Sequence, residues 1–188
     1  MSKREEADSI VRWHVLWSMG AGLIPIPLVD FAAVTAVQVD MLNQLASAYD
    51  VEHDEAIGKT FVTALAGTTF AKVGSSLIKA IPGVGMLLGG VSMSVLSGAS
   101  TYAVAQVAIH YFESGGTLKN LDWDTAKKMY DDAFEEGKEY ASKVKKEQEQ
   151  APEEDAFAKL EKLGKLKEQG VITEEEFEAK KKELLEQV

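Results

Sequence analysis

Apolar residues recur at steps of three and four along most of the chain, the spacing that gathers them on one face of an α-helix. No run of alternating apolar and polar residues is long enough to predict a strand. Clusters of Gly and Pro interrupt the pattern and mark the breaks between helices. The sequence therefore predicts an all-α fold, a compact bundle of about five helices followed by a C-terminal two-helix hairpin. The predicted bundle helices span residues 3–19, 28–49, 52–79, 84–112 and 121–146.

The same spacing predicts which face of each helix turns inward. In the first helix Ile10, Trp13 and Trp17 share one face, with Val11 and His14 beside them. The second helix has an inner stripe of mixed size: Phe31, Val34, Gln38, Met41, Leu45 and Ala48. The third has a narrow stripe of mostly small side chains: Ile57, Phe61, Ala64, Thr68, Ala71 and Ser75. The apolar residues of the fifth fall at Ala126, Met129, Ala133, Tyr140 and Val144.

The fourth predicted helix lies in a segment, residues 80–112, that contains no Asp, Glu, Lys or Arg. A helix that is apolar on all sides is buried against protein or lipid. Its small residues recur at four-residue steps, which lets helix backbones approach closely. This spacing predicts a Gly/Ala/Ser-rich helix at the centre of the bundle. The predicted helix-packing ridge consists of Gly85, Gly89, Gly90, Ser94 and Gly98.

Two interpretations of this segment remain open from the sequence. About 20 apolar residues cross a bilayer, so the segment is long enough for a membrane span. Its glycines and serines lower the hydropathy, however, and the neighbouring helices contain Lys72, Asp30 and Asp40, which disfavour companion spans. A bundle that buries this helix and sits against a membrane is favoured over a single-span protein.

The charge balance limits the partners. The formal net charge is −10, which disfavours nucleic acid because binding DNA or RNA requires a basic surface. Residues 113–188 carry 14 Lys+Arg and 21 Asp+Glu, against 6 and 9 in residues 1–112. Cysteine is absent, which excludes disulfides and thiolate metal sites. That absence agrees with a reducing compartment, so the predicted location is the cytoplasm or the cytoplasmic face of a membrane.

Candidate catalytic motifs are incomplete. Gly58-Lys59-Thr60 matches the end of a phosphate-binding loop, but His53 stands where the first glycine of that loop belongs. The strand that should precede such a loop is not predicted either. His14, His53 and His110 have no local metal-ligand spacing. The sequence therefore predicts a protein without enzyme activity, cofactor or bound metal.

Asp30 and Asp40 are the candidate polar functional pair. They lie ten residues apart in an apolar helix, nearly three turns, and therefore close to one face. Two carboxylates on one face can act together as a functional pair. The alternative, which the sequence favours, is a cap-adjacent acid and a solvent-facing acid.

The C-terminal tail is predicted to be a helical hairpin. Gly170 ends its first helix, and Thr173 and Glu176 form the capping box of its second. About 30 residues bury too little area to be stable alone, so the apolar side chains of the tail need another surface. The main domain or a second copy of the chain can supply one, and the second copy is favoured, which predicts a homo-oligomer. The predicted oligomerisation residues are Phe157, Leu160, Leu163, Val171, Ile172, Phe177, Leu184 and Leu185.

Two stretches resemble known families. The run from Ile24 to Asp30, Gln38 and the "IPGVG" break at residues 81–85 are similar to the GTPase-associated domain of unknown function. That domain occurs in predicted bacterial inner-membrane proteins or behind Era-like GTPase domains. The resemblance implies membrane lipid as a partner and, since no GTPase domain is recognised here, a GTPase acting in trans. Residues 155–185, with "GVITEEEF" at 170–177, resemble the SHOCT family of short C-terminal domains, which implies oligomerisation or association with a partner.

Together these observations predict a non-catalytic, self-assembling helical protein associated with a membrane or with hydrophobic partners. The alternatives are a soluble adaptor that binds a lipid or hydrophobic ligand between its helices, and an α-helical pore former. The predicted organisation is an N-terminal amphipathic helix, a GTPase-associated-type helical domain, a charged helix, a linker and the SHOCT-like hairpin. Their bounds are residues 1–20, 21–116, 117–150, 151–154 and 155–188.

Overall fold

The computed structural model describes residues 2–21, 27–52, 54–78, 92–119 and 121–150, with residues 160, 164, 165, 167, 168, 174, 177, 178, 181 and 182 of the tail. Side-chain surroundings are not described for residues 21, 27–31, 68–78 and 149–150. The helices are α1 (Lys3–Ala21), α2 (Pro27–Ala48), α3 (Glu55–Ile78), α4 (Met93–Glu113) and α5 (Trp123–Gln150). The predicted all-α fold is confirmed. The chain divides into two compact units, Met1–Lys145 and Lys146–Val188.

The central helix of the first unit is α4. It packs against α1, α2 and α3, and α5 approaches it closely at Gly137 and Ala141. Of the 21 residues of α4, 15 are buried, on all sides of the helix. Gly98 is the single glycine within Met93–Glu113, so most of the small residues of α4 are Ala and Ser.

The start of α4 differs from the prediction. Ser92 has an extended backbone (φ −73°, ψ 153°), and its side chain accepts a hydrogen bond from the N–H of Val95, which is N-cap geometry. A helix running without interruption from residue 84 is therefore wrong, because the chain leaves the helical conformation at Ser92. Residues 79–91 lie outside the described residues.

Helices α2 and α4 each end in a hydrogen-bonded turn, and the two turns are of the same type. One residue takes a left-handed conformation, and two N–H groups return to carbonyls of the last helical turn. After α4 this residue is Gly115 (φ 70°), and after α2 it is Asp50 (φ 58°). The four bonds join Gly115 N to Phe112 O (3.0 Å), Gly116 N to Tyr111 O (2.9 Å), Asp50 N to Ser47 O (3.1 Å) and Val51 N to Ala46 O (2.8 Å).

Helix α1 turns a different face inward than predicted. The buried stripe recurs at every fourth residue and consists of Ala7, Val11, Val15 and Met19. Trp13, by contrast, is 50% exposed, so the prediction that the tryptophan face turns inward is wrong at this position. Ala7, Val11 and Val15 are small or β-branched, so α1 can lie close to its neighbours, which an indole would prevent.

The inner faces of α2 and α3 are also defined. In α2 the buried residues include four of the predicted stripe: Val34, Gln38, Met41 and Leu45. In α3 the buried face is wider and bulkier than predicted, since Leu65 and Val62 are buried beside Phe61 while Ala64 is only half-buried.

Contacts between helix ends fix how the first unit is arranged. Lys3 Nζ lies 2.7 Å from Asp50 Oδ2, which brings the start of α1 to the end of α2. Ser94 Oγ donates to Met19 O at 2.9 Å, which brings the end of α1 to the start of α4. The connection 49–54 is short, so the chain reverses direction there and α3 runs back along α2. The ends of α1 and α3 and the starts of α2 and α4 therefore lie at the same end of this unit.

Candidate functional site

The described part of the predicted packing ridge lies where α1, α4 and α5 meet. Ser94 is buried, and its Oγ bonds to Met19 O, one of the carbonyls that the end of a helix leaves without an intrahelical partner. A Cβ added at Gly98 would lie 2.7 Å from Met19 Cγ and 3.0 Å from Ala141 Cβ. The remaining ridge residues, Gly85, Gly89 and Gly90, lie outside the described residues, and their role stays a prediction.

A second glycine, on α5, makes the contact with α4 closer still. A Cβ added at Gly137 would lie 2.7 Å from the carbonyl oxygen of Ala99 and 3.0 Å from its Cα. Gly137 and Ala141 are four residues apart, so α5 presents a small-residue pair to α4. Tyr102 and Tyr140 flank this contact with ring centroids 4.7 Å apart. Sequence reasoning missed Gly137, although the four-residue step to Ala141 was a usable signal.

Asp40, one member of the predicted acidic pair, bonds to His14 of α1. His14 Nε2 lies 3.0 Å from Asp40 Oδ2, and Gln44 Nε2 donates to the same oxygen at 2.8 Å. The hydrogen bond from His14, together with its charge, holds the pKa of the Asp40 carboxyl below its usual range, although burial opposes this. The side chain of Asp30 lies outside the described residues, so a functional pairing of Asp30 with Asp40 stays a prediction.

Gln38 anchors a buried polar network between α2, α4 and α5. Its Nε2 donates to Ser100 Oγ and to Thr101 Oγ1, both at 3.1 Å. The hydroxyl of Tyr130 donates to Ser100 Oγ at 3.0 Å. All four side chains are nearly inaccessible to solvent. Among the described side chains, Gln38 Oε1 is the buried acceptor that has no partner, which is costly in an apolar interior.

A charged network surrounds the start of α1. Arg4 Nη1 lies 3.2 Å from Glu113 Oε1, and the hydroxyl of Tyr49 donates to the same oxygen at 3.0 Å. Burial and the hydrogen bond to Glu113 raise the pKa of Tyr49 to about 12. Beside Arg4 lies an open cavity of about 330 Å³ between α4 and α5. Its lining includes Asp132 and Glu136, so the cavity is more acidic than basic.

Gly58-Lys59-Thr60, the partial phosphate-loop motif, lies in the first turns of α3. Asp54 precedes the helix, and its Oδ1 accepts a hydrogen bond from Ala56 N at 2.8 Å. The N–H of Gly58 bonds to Asp54 O, and Lys59 Nζ pairs with Glu55 Oε1 at 2.9 Å. The groups that would bind a phosphate are thus engaged within the helix itself.

The described residues contain no group of three or more His, Cys, Asp or Glu side chains placed to hold a metal ion. None of the helices in this part of the chain combines the length and the hydropathy needed to span a bilayer.

The tail belongs to the second unit, and Leu160 and Phe177 of the tail are helical and half-buried. Lys167 Nζ lies 2.7 Å from Glu174 Oε1 and 4.8 Å from the centroid of the Phe177 ring. These contacts join residues from either side of the predicted turn. The turn at 170–173 lies outside the described residues, as do the other predicted oligomerisation residues: Phe157, Leu163, Val171, Ile172, Leu184 and Leu185.

Two protein families match the chain, and together the matches cover most of its length. The model of the domain of unknown function DUF697 matches residues 2–139, from the start of α1 to beyond Gly137 of α5. The chain belongs to the DUF697 family. The Short C-terminal domain, SHOCT, matches residues 158–185. Both resemblances predicted from the sequence are thereby confirmed.

The DUF697 chain is also similar to Magnetosome membrane protein 22 of Magnetospirillum gryphiswaldense strain MSR-1. The two are 38% identical over 157 residues, which is 81% of this chain and 80% of the relative. No solved structure matches the chain.

Proposed function

We propose that this DUF697 protein is a non-catalytic assembly protein that works at a membrane, and that its short C-terminal domain joins subunits. The observation that carries the proposal is the 38% identity to Magnetosome membrane protein 22. Because the similarity extends over 80% of that protein, the two are related along most of their length rather than through one motif. A shared membrane role follows most simply from that extent.

The course of the helices supports the membrane role. Residues 22–26 and 79–91 connect helix ends that lie at the same end of the first unit, and Lys79 is the only charged residue among them. The opposite end carries the ion pairs of Lys3 with Asp50 and of Arg4 with Glu113. These two connections are therefore apolar in sequence apart from Lys79, and apolar residues favour contact with the lipid boundary.

Fractionation tests the membrane role. We expect the native protein to sediment with membranes, and a carbonate wash then separates peripheral from integral attachment. A Leu88→Glu substitution in the apolar connection is expected to lower the membrane fraction. Thr117→Glu adds the same charge at an exposed position at the opposite end and is the matched control. A wholly soluble native protein, or equal losses in the two variants, would contradict the proposal.

The separate second unit supports the assembly role. Residues 146–188 form their own compact unit, yet a hairpin of this size buries too little apolar area for independent stability. Contact between tails of different subunits would cover Phe177 and Leu160, which are only half-buried.

Light scattering tests the assembly role. We expect the full-length protein to be an oligomer and a chain ending at Gln150 to contain fewer subunits. In the full-length chain, Phe177→Asp is expected to dissociate the oligomer, because it places a charge in the apolar contact. Glu178→Ala changes the exposed neighbouring residue and serves as the control. A monomer in every one of these proteins would show that the hairpin does not join subunits.

A further inference from the structure

The Asp, Glu, Lys and Arg residues of α1 all lie in its first half, between Lys3 and Arg12, and residues 13–21 contain none. The ion pairs of Lys3 and Arg4 reach Asp50 after α2 and Glu113 at the end of α4. The half of α1 without these charges therefore runs away from the end of the unit that holds the two ion pairs.

This uncharged half of α1 has an aromatic outer face. Trp13 is 50% exposed, more than any other large hydrophobic side chain among the described residues. Trp17, one turn further along, is half-buried, and a Cβ added at Gly20 would meet nothing within 4 Å. Positions 13, 17 and 20 share one side of a helix. Val11 and Val15 of the buried stripe lie on another side, so the aromatic face points away from the core.

We propose that Trp13 and Trp17 are the residues with which the protein contacts lipid headgroups, and that α1 enters the headgroup layer by its uncharged half. The inference rests on the proposed membrane role and assigns residues to it. Indole rings favour the boundary between hydrocarbon and water, because the ring is apolar while its N–H donates a hydrogen bond. A formal net charge of −10 gives no attraction to anionic lipid, so aromatic and apolar contacts are left to supply the binding.

The dimensions of α1 agree with this placement. Four residues of an α-helix rise about 6 Å, so the two tryptophans differ by about that distance along the axis. The polar layer on each side of a bilayer is about 5–7 Å thick. Both rings therefore fit within one such layer, with Trp17 the deeper. The sequence beyond α1 continues without charge, since the next charged residue after Arg12 is Asp30.

Trp123 offers an internal comparison, because it lies towards the other end of α1. It begins α5, shortly after Glu113 of α4, and Glu113 pairs with Arg4 at the start of α1. The ring of Trp123 lies 6.5 Å from that of Phe61, near the start of α3. Trp123 is 37% exposed, so it is open to solvent but distant from the uncharged half of α1.

Quenching by brominated lipid tests the assignment in the full-length protein. The probe is vesicles of phosphatidylcholine that carry bromine near the ester end of the acyl chains. One variant keeps only Trp13 (Trp17→Phe with Trp123→Phe), and the other keeps only Trp123 (Trp13→Phe with Trp17→Phe). We expect the vesicles to quench the emission of Trp13 and shift it to the blue, and to leave the emission of Trp123 unchanged.

Co-sedimentation with the same lipid without bromine measures how much Trp13 contributes. We expect Trp13→Ala to lower the vesicle partition coefficient about tenfold, the scale of returning part of an aromatic ring to water. Trp123→Ala is the matched control and is expected to change it less than about twofold. Circular dichroism checks that both variants keep the helical content of the native protein.

The outcomes separate this inference from the proposed function. A native protein that sediments with cell membranes but leaves Trp13 no more quenched than Trp123 overturns the inference and leaves the membrane role standing. A native protein that binds neither cell membranes nor these vesicles contradicts both. A smaller oligomer in Trp13→Ala, with unchanged vesicle binding, would make the aromatic face a contact between subunits and would also overturn the inference.

Discussion

Gly137 of α5 lies so close to Ala99 of α4 that an added methyl group would stand 2.7 Å from the Ala99 carbonyl oxygen. Real Cβ atoms do not approach a backbone oxygen so closely, and backbone atoms cannot move aside as a flexible side chain can. The distance between α4 and α5 is therefore set by the absence of a side chain at this position.

We expect Gly137→Ala to destabilise the protein by about 1–3 kcal/mol, the cost of overpacking a tight contact. Gly67→Ala is the matched control within α3, because the added Cβ would meet only Thr63 Cγ2 at 4.0 Å. The control is expected to gain up to about 1 kcal/mol from the better helix propensity of alanine. Urea denaturation measures both, and equal effects of the two substitutions would refute the close contact.

The turn that ends α2 predicts a stabilising substitution. Asp50 adopts φ 58°, a conformation that glycine takes without strain, as Gly115 does after α4. We expect Asp50→Gly to raise the melting temperature by roughly 2–4 °C. The ion pair with Lys3 is exposed, so its loss should not cancel this gain. The reciprocal change, Gly115→Asp, is expected to lower the melting temperature, and a fall in both variants would argue against backbone strain at Asp50.

Because Gln38 Oε1 has no hydrogen-bond partner, we expect the protein to tolerate replacement of Gln38 by an apolar residue. Gln38→Met removes two hydrogen bonds but also removes the buried Oε1, so we expect a change within about 1 kcal/mol of the native stability. Gln38→Glu retains the size of the side chain and introduces an unpaired buried carboxyl. Such a carboxyl has a raised folded-state pKa, so its destabilisation should grow as pH rises above about 4.3. A large loss in Gln38→Met, or a pH-independent loss in Gln38→Glu, would contradict this account.

The ionised carboxyl of Asp40 is expected to stabilise the folded protein, and this stabilisation is expected to be lost in acid. Its folded-state pKa is lowered, chiefly by the hydrogen bond from His14. The contribution is therefore complete above the unfolded-state pKa, about 3.9, and is lost as pH falls through the lowered value. We expect Asp40→Asn to be less stable than the native protein at pH 6, with the difference narrowing as pH falls below about 3.9. Asp8→Asn, at an exposed residue of α1, provides the comparison.

The presence of each helix was predictable from the sequence, because apolar residues recur at steps of three and four over long, uninterrupted segments. The N-terminal end of α4 was harder, since the segment before it has the same apolar composition as the helix itself. A serine at position 92 gives little warning that it caps a helix, because serine also occurs within α4. The cap depends on backbone angles that composition does not encode.

The faces and partners of the helices were predictable only in part. The spacing in α1 supports two apolar faces, one with Trp13 and one with Val11 and Val15, and packing against α4 decides between them. His14 and Asp40 are 26 positions apart, so no local pattern indicates that they meet. Their contact depends on how α1 crosses α2, which is a property of the assembled bundle.

The central position of α4 has a consequence during synthesis. Helices α1, α2 and α3 leave the ribosome before α4, and at about 5–20 residues per second the 35 positions between Ile78 and Glu113 take on the order of seconds. Through that interval the apolar faces of the first three helices have no central helix to cover them. A nascent chain of this protein is therefore a natural client for chaperones, and its translation and its folding finish close together.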